Sequence, residues 1–299
     1  MRFVKMHGIG NDYVFVNCFE QSVADPATLS VKIADRHLGA GGDGLILVMP
    51  PDDNTSDVRM RMFNADGSEA EMCGNGIRCV CKLAHDDGIS TANPMKVQTG
   101  NGVLSLRYTI DRRGRVDRVC VDMGEPVLDP KRIPVTIDGV VKVVNHSTKS
   151  LIQWPGAPDA AWIDGCKLDQ RMTCVSMGNP HVVFFCGHID RVPIETVGPV
   201  LEHHSVFPDR VNVHFVQVQT PSQVTIRTWE RGSGVTLACG TGAAAVCVAG
   251  VLTDRTQRRL GAHLRGGDLD LEWSDQNGHV NMTGPAVEVF RGEWPDDRR

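Results

Sequence analysis

The sequence has no basic cluster, no low-complexity tract and no long apolar run. Lys and Arg number 31 against 36 Asp and Glu, a net charge of -5, which argues against nucleic acid or an anionic membrane as partner. From Met1 to Glu20 there is no apolar core of the signal-peptide kind, because Gly8, Gly10, Asn11 and Asp12 interrupt it. The longest apolar run, Gly242 to Leu252, falls well short of the ~20 residues that span a bilayer. The expectation from these absences is a soluble, cytoplasmic protein. At roughly 150 residues per domain, 299 residues suggest two domains.

Several cofactor signatures are missing too. Gly39-Ala-Gly41-Gly-Asp-Gly44 has glycines at the spacing of a dinucleotide loop, but it follows a helical pattern and precedes a strand-like one. That is the reverse of the order such a site needs, so the segment reads as a turn. Cys73, Cys79 and Cys81 do not have the paired spacing of a metal site, and two of them fall inside a helical pattern. No lysine can be assigned to a Schiff base. The expectation is therefore an enzyme with no cofactor and no metal. The ten cysteines, in a long chain without an export signal, do not suggest a disulfide framework. Most sit in apolar runs and read as small buried hydrophobes.

What the sequence does contain is an internal repeat. Arg61-Met-Phe63-Asn64 precedes Met72-Cys73-Gly74-Asn75-Gly76, and Arg227-Thr-Trp229-Glu230 precedes Ala238-Cys239-Gly240-Thr241-Gly242. Arg to Cys is 12 residues in both halves, so Arg, an aromatic, Cys and two Gly align without a gap. Upstream, Gly10-Asn11 precedes Tyr13-Val-Phe-Val16, as Gly178-Asn179 precedes His181-Val-Val-Phe-Phe185. Between these anchors the element order also repeats. Helices are expected over 26–37 and 198–204, and strands over 45–48 and 211–218, then 58–63 and 223–229. After each cysteine a helix is expected, over 76–87 and 241–252. The second is apolar all round and should be buried. His203-His204 reads as a solvated helix end.

The two cysteines thus occupy equivalent positions at the starts of equivalent helices. A helix N-terminus offers unpaired N–H groups and about half a positive charge. It should favour thiolate, bind a carboxylate and stabilise negative charge developing beside it. If both helix starts serve one substrate carbon, a base faces one side and an acid the other. A thiolate/thiol pair does both jobs and exchanges roles in the reverse direction. Such a pair titrates jointly.

At these residues the chain resembles the diaminopimelate epimerase family. The matching segments are Met6 to Asp12, Ala34 to His37 with Gly39 to Leu45, Phe63 to Ala70 with Met72 to Cys79, Gly178 to His181, Arg210 to Val213, Glu230 to Gly232, Ala238 to Ala243 and Met282 to Gly284. They stand in the family's order. The resemblance implies interconversion of LL- and meso-diaminopimelate, in lysine and peptidoglycan precursor synthesis, without pyridoxal phosphate or metal. It implies an α+β fold of two pseudo-symmetric domains, each a curved, barrel-like mixed sheet around a central helix, in a homodimer. The halves are expected at 1–122 plus 285–299 and at 123–284. Cys73 and Cys239 match the catalytic pair. Gly74, Asn75, Gly240 and Thr241 look like the backbone donors that hold a carboxylate. Asn11, Asn64, Asn179, Asn212, Glu230 and Arg231 look like substrate-contacting residues. His181 and Glu230 are candidates for proton handling.

Some features depart from the pattern or leave alternatives. Some members carry Gln where this chain has Gly44. The stretch 145–166, with Trp154-Pro155-Gly156 and Ala157-Pro158, looks longer than usual and reads as a surface loop. A proline or hydroxyproline racemase would use the same two-cysteine logic. A thiol-redox or ligand-binding relative is the reading from another class, and the intact Cys73/Cys239 pair weighs against it.

Overall fold

The computed structural model describes residues 1–156 and 160–295. The chain forms two compact units, one made of Met1–Asp122 with the chain from Thr283 onward, the other of Met123–Met282. The first unit begins with β1 (Arg2–Gly8), β2 (Asn11–Asn17), α1 (Pro26–Ala34), β3 (Gly44–Met49) and β4 (Val58–Asn64). It continues with β5 (Glu69–Ala70), α2 (Gly76–Asp86), β6 (Met95–Thr99), β7 (Gly102–Ile110) and β8 (Val116–Asp122). The second runs β9 (His146–Ser147), α3 (Ala161–Cys166), β10 (Leu168–Ser176), β11 (Pro180–Cys186), α4 (Ile194–Glu202), β12 (Asn212–Thr220) and β13 (Gln223–Glu230). Then follow β14 (Gly234–Val235), α5 (Gly240–Leu252), β15 (Arg259–Leu264) and β16 (Gly267–Trp273), and the chain returns to the first unit within β17 (Val280–Pro285). The last strand, β18 (Val287–Glu293), pairs antiparallel with β1.

The repeat read from the sequence is a repeat of strand pairing. β1 and β2 are antiparallel, as are β10 and β11. β2 then pairs parallel with β3, with Val14 opposite Leu45, and β11 pairs parallel with β12, with Val182 opposite Val213. A parallel neighbour needs a crossover, and α1 and α4 supply it. β3–β4 and β12–β13 are antiparallel, β4–β6 and β13–β15 parallel, β6–β7 and β15–β16 antiparallel. Each unit is therefore a curved mixed sheet, and a helix runs through its middle. α2 touches β1, β2, β3, β4 and β8, while α5 touches β10, β11, β12, β15 and β16. α5 is fully buried from Gly242 to Gly250, as its all-apolar, small-residue sequence requires.

Helix ends differ slightly from expectation. α1 stops at Ala34, because the Asp35 carboxylate accepts from the His37 and Leu38 N–H groups and closes a turn instead of another helical turn. α4 starts four residues earlier than expected, at Ile194, and includes Pro199. His203 is its exposed C-cap, whereas His204 is half-buried and accepts from the Val206 N–H.

The stretch 145–166 is not a surface loop. β9 pairs with β10, placing His146 opposite Met172. Ile152 and Trp154 are buried in the second unit's core, and Trp154 meets Trp162 and Phe184 edge-on at 5.7 and 5.3 Å. Pro155-Gly156 does form a turn, but the apolar area of two tryptophans outweighs that turn signal and draws the segment inward. Ala157 and Pro158 lie outside the described residues. Gly44 has φ +155° and a Cβ there would lie 2.0 Å from the Phe63 carbonyl oxygen, so this backbone leaves no room for a side chain.

Candidate active site

Each candidate cysteine stands at a helix start, Cys73 two residues before the N-cap Asn75 of α2 and Cys239 as the N-cap of α5. The Gly76 N–H, three residues on, donates to Cys73 Sγ at 3.3 Å, and the Ile77 N–H donates to the Cys73 carbonyl at 2.9 Å. The Cys239 carbonyl accepts from the Ala243 N–H at 2.9 Å, and the Gly242 N–H, again three residues on, lies near enough to its sulfur to favour the thiolate. A Ser, Thr or Asp oxygen ordinarily does this work at N-caps. Here the Cys73 sulfur does it just ahead of α2, and the Cys239 sulfur stands at the matching place on α5.

The surroundings of the two sulfurs differ. Cys73 is half-buried and donates to Asn11 Oδ1 at 3.3 Å. The orientation of that amide is fixed from behind, since Asn11 Nδ2 donates to Asp43 Oδ2 at 2.7 Å. A carboxylate only accepts, so the amide nitrogen must face Asp43 and the oxygen must face the sulfur. Asp43 also accepts from the Asp12 N–H at 3.0 Å and pairs with Arg36 at 2.9 Å. Arg36 grips Asp12 as well, and Asp12 pairs with the buried Lys5 at 2.6 Å. Despite the cost of its burial, the hydrogen bonds and charges of Arg36 and Lys5 hold the Asp12 carboxyl below the usual range. The glycine-rich turn 39–44 is thus the scaffold of Asn11. Sequence reasoning missed Asp43; its only signal was a carboxylate inside a turn that lies among the family-like segments.

Cys239 is buried and its thiol is pushed well up, first by burial and then by the Glu230 carboxylate. Thr241 and the Gly242 N–H pull the other way and lose. The expectation that a helix start favours thiolate therefore fails at Cys239, because desolvation of the anion exceeds what the N–H groups return. Glu230 also accepts from the Thr236 hydroxyl.

Beside Cys239 lies a buried histidine pair. His181 Nε2 is 2.8 Å from Asn179 Oδ1, its Nδ1 is 2.9 Å from His214 Nε2, and His214 Nδ1 is 2.9 Å from the Thr228 hydroxyl. An amide oxygen accepts, so His181 carries its proton on Nε2. His181 Nδ1 then accepts from His214 Nε2–H, and the Thr228 hydroxyl donates to His214 Nδ1. Burial, aided by His214 and Arg231, drives the His181 pKa well down, and burial pushes His214 to about 3. Both rings are neutral. Ligand-capable atoms of His181, His214 and Cys239 lie within 4.8 Å of one another, a donor set that soft metals accept. All four ring nitrogens are already spent on hydrogen bonds, so the pair is a neutral, fixed chain beside the sulfur and no open metal cage.

The remaining candidates divide by accessibility. Asn64 and Asn179 are half-buried, with Asn64 Nδ2 donating to the Ser68 hydroxyl at 3.0 Å. Arg231 is exposed and reaches the Asp209 carbonyl at 3.0 Å. Asn212 is buried, its Nδ2 donating to the Pro180 carbonyl at 2.9 Å and its Oδ1 accepting from the Arg231 N–H at 3.0 Å. Its visible work is to hold the backbone of Arg231. Gly74, Asn75, Gly240 and Thr241 form the helix starts themselves.

The fold defines a class first. Solved structures that match it include a phenazine biosynthesis protein of the PhzF family from Bacillus anthracis, with TM-score 0.67 and 14% identity, covering 99% of both chains. A probable proline racemase from Agrobacterium radiobacter matches with TM-score 0.60 and 14% identity over 99% of this chain and 93% of that one. At such identity the likeness is one of fold. The sequence is more specific. The diaminopimelate epimerase model matches residues 3–128 and 173–289. A diaminopimelate epimerase of Acetivibrio thermocellus is 49% identical over 98% of each chain, and one of Moorella thermoacetica 46% identical over 99% of this chain and all of its own. The chain belongs to the diaminopimelate epimerase family.

Proposed function

We propose that the protein is an isomerase that interconverts LL- and meso-2,6-diaminopimelate, using Cys73 and Cys239 as its acid and base. The observation that carries the reading is the matched pair of sulfurs, each set beside the N–H three residues on at the start of a duplicated helix. In one direction the thiolate of one cysteine takes the α-proton as the thiol of the other gives a proton to the opposite face. The carbanion that forms between these events is stabilised through its carboxylate by helix-start N–H groups near Gly74, Asn75, Gly240 and Thr241. The roles of the sulfurs exchange in the reverse direction. Cys239, held as thiol, suits the acid in the resting state. Glu230 faces it as a ready acceptor, whereas His181, whose proton affinity burial has lowered and whose two ring nitrogens are already hydrogen-bonded, lines the sulfur as a fixed neutral neighbour.

Asn64, Asn179 and Arg231, with Asn212 holding the Arg231 backbone, are proposed to recognise the end that is not inverted, while Asn11 and Glu230 contact the substrate at the reacting end beside Cys73 and Cys239. Amides supply both donors and acceptors, and a guanidinium grips a carboxylate in two-point fashion. No cofactor or metal enters the scheme. A place in lysine and peptidoglycan precursor synthesis, a cytoplasmic location and a homodimer follow from the same reading. Among the described residues no helix is long and apolar enough to cross a membrane.

The test is to make Cys73→Ala and Cys239→Ala separately and follow epimerisation and α-deuterium uptake in heavy water. Each variant should lose epimerisation, and the unaltered enzyme should place deuterium at the inverted carbon. Near-normal turnover in either variant would sink the two-base scheme. Proline or hydroxyproline reacting in preference to diaminopimelate would move the substrate to the racemase alternative.

A further inference from the structure

Among the described residues Arg78 is the largest fully buried side chain, and it has no carboxylate partner there. It lies on the first turn of α2. Its Nε donates to the Pro285 carbonyl at 3.1 Å and its Nη1 to the Gly74 carbonyl at 2.9 Å, next to Cys73. Its Nη2 has no hydrogen-bond partner, and neither does the buried Oδ1 of nearby Asn75. The chain makes room for this group, since a Cβ on Gly8 would stand 2.8 Å from Nη2. A buried cation with no counter-charge is among the costlier arrangements a fold can hold, by several kcal/mol. Its position therefore calls for an explanation.

The titratable and charged groups acting on the guanidinium are Cys79, Cys73 and Arg118 of β8. Arg118 carries a like charge and makes matters worse. Cys79 is fully buried and its thiol is pushed up to about 12, so it stays neutral. The one group in reach that can supply an anion is Cys73. We propose that Arg78 is a positioning residue that fixes the Cys73–Gly74 turn through the Gly74 carbonyl and supplies the counter-charge for the Cys73 thiolate. Asn11, with its oxygen aimed at the sulfur, favours the thiol; Arg78 favours the thiolate. The two opposed influences poise Cys73 to lose and regain a proton within one catalytic cycle.

This rests on Cys73 being a reactive thiol, but not on which amino acid is the substrate. The test is therefore substrate-free. Iodoacetamide labelling of Cys73 is followed by peptide mass spectrometry from pH 6 to 10 in the parent, Arg78→Met and Arg78→Lys. Arg78→Met should label Cys73 at least tenfold more slowly at pH 7, with the profile displaced to higher pH. Arg78→Lys, which keeps the charge, should recover most of the rate. A purely structural role would lower stability in both variants and leave the profile in place. Profiles for Arg78→Met and parent that coincide within a twofold rate at every pH overturn the proposal. Should Arg78→Met fail to fold, Cys73→Ala in an otherwise unaltered chain supplies the reciprocal measurement. The parent should gain stability over Cys73→Ala as pH rises from 6 to 9, because the folded thiol gives up its proton before the unfolded one does. A difference that does not vary with pH overturns the proposal equally.

Discussion

Asp43 holds the amide of Asn11, and its removal tests whether a residue that touches no substrate governs the chemistry at Cys73. The contacts allow the effect to be sized in two parts. The ion pair with Arg36 joins side chains 37% and 56% exposed, so its loss should cost well under about 1 kcal/mol of stability. The hydrogen bond from Asn11 Nδ2 is short, at 2.7 Å, and charge-assisted. Bonds of this kind contribute about 1.5–3 kcal/mol. In Asp43→Ala nothing keeps the amide oxygen on the sulfur, and the amide samples orientations that misplace Cys73. If the full bond energy is lost at the transition state, kcat/KM falls roughly 10- to 150-fold. Asp43→Asn is the milder perturbation, because its one oxygen can still accept from both the Asp12 N–H and Asn11 Nδ2 while its NH2 turns toward the exposed Arg36, so the loss should be smaller than in Asp43→Ala. The assay is diaminopimelate α-proton exchange in heavy water against pH, with thermal unfolding as a control for folding. Asp43→Ala that folds normally and keeps kcat/KM within twofold of the parent refutes the argument.

Two further outcomes follow from the second unit. Trp154→Ala should cost about 3–5 kcal/mol in urea unfolding, because it empties the space against Trp162 and Phe184; a loss below about 1 kcal/mol would return the segment 145–166 to the surface. Burial holds His181 and His214 neutral in the fold, whereas an unfolded histidine takes up a proton near pH 6.5. Stability from this source is therefore present above about pH 6.5 and is lost as pH falls toward about 3, by up to about 1.4 kcal/mol per pH unit for each ring. His214→Asn should flatten that acid slope, and an unchanged slope would mean that the pair is not held neutral.

The repeated order of elements was readable because it is written in backbone terms. Gly-Asn before a strand, Arg and an aromatic before a turn, and Cys-Gly-x-Gly before a helix are local signals, and each was followed by the element it announced. What sequence could not show depends on residues far apart in the chain. Asp43 sits in a turn whose glycines explain it without recourse to function, and its contact with Asn11 crosses 32 positions. His214 looks like any strand residue until the parallel pairing of β11 with β12 sets His181 and Asn212 opposite each other, with His214 close behind. The segment 145–166 was misread because Pro and Gly mark turns locally, whereas the pull of Trp154 is felt only once β10 and β11 have formed a core to receive it.

Duplication also misleads in one respect. Equivalent backbone positions suggest equivalent sulfurs, and the N–H three residues on does treat them alike. The side chains do not. Cys73 faces an amide oxygen fixed by Asp43, with a buried guanidinium one helical turn away. Cys239 faces a carboxylate and a neutral histidine pair, and is more deeply buried. Two identical environments would give two thiols of equal proton affinity, and no preferred resting state. Unequal environments let one cysteine hold its proton while the other releases it. The duplicated backbone sets a sulfur at the start of each helix, and the residues around the two sulfurs have diverged, so that equivalence of position does not carry over to equivalence of proton affinity.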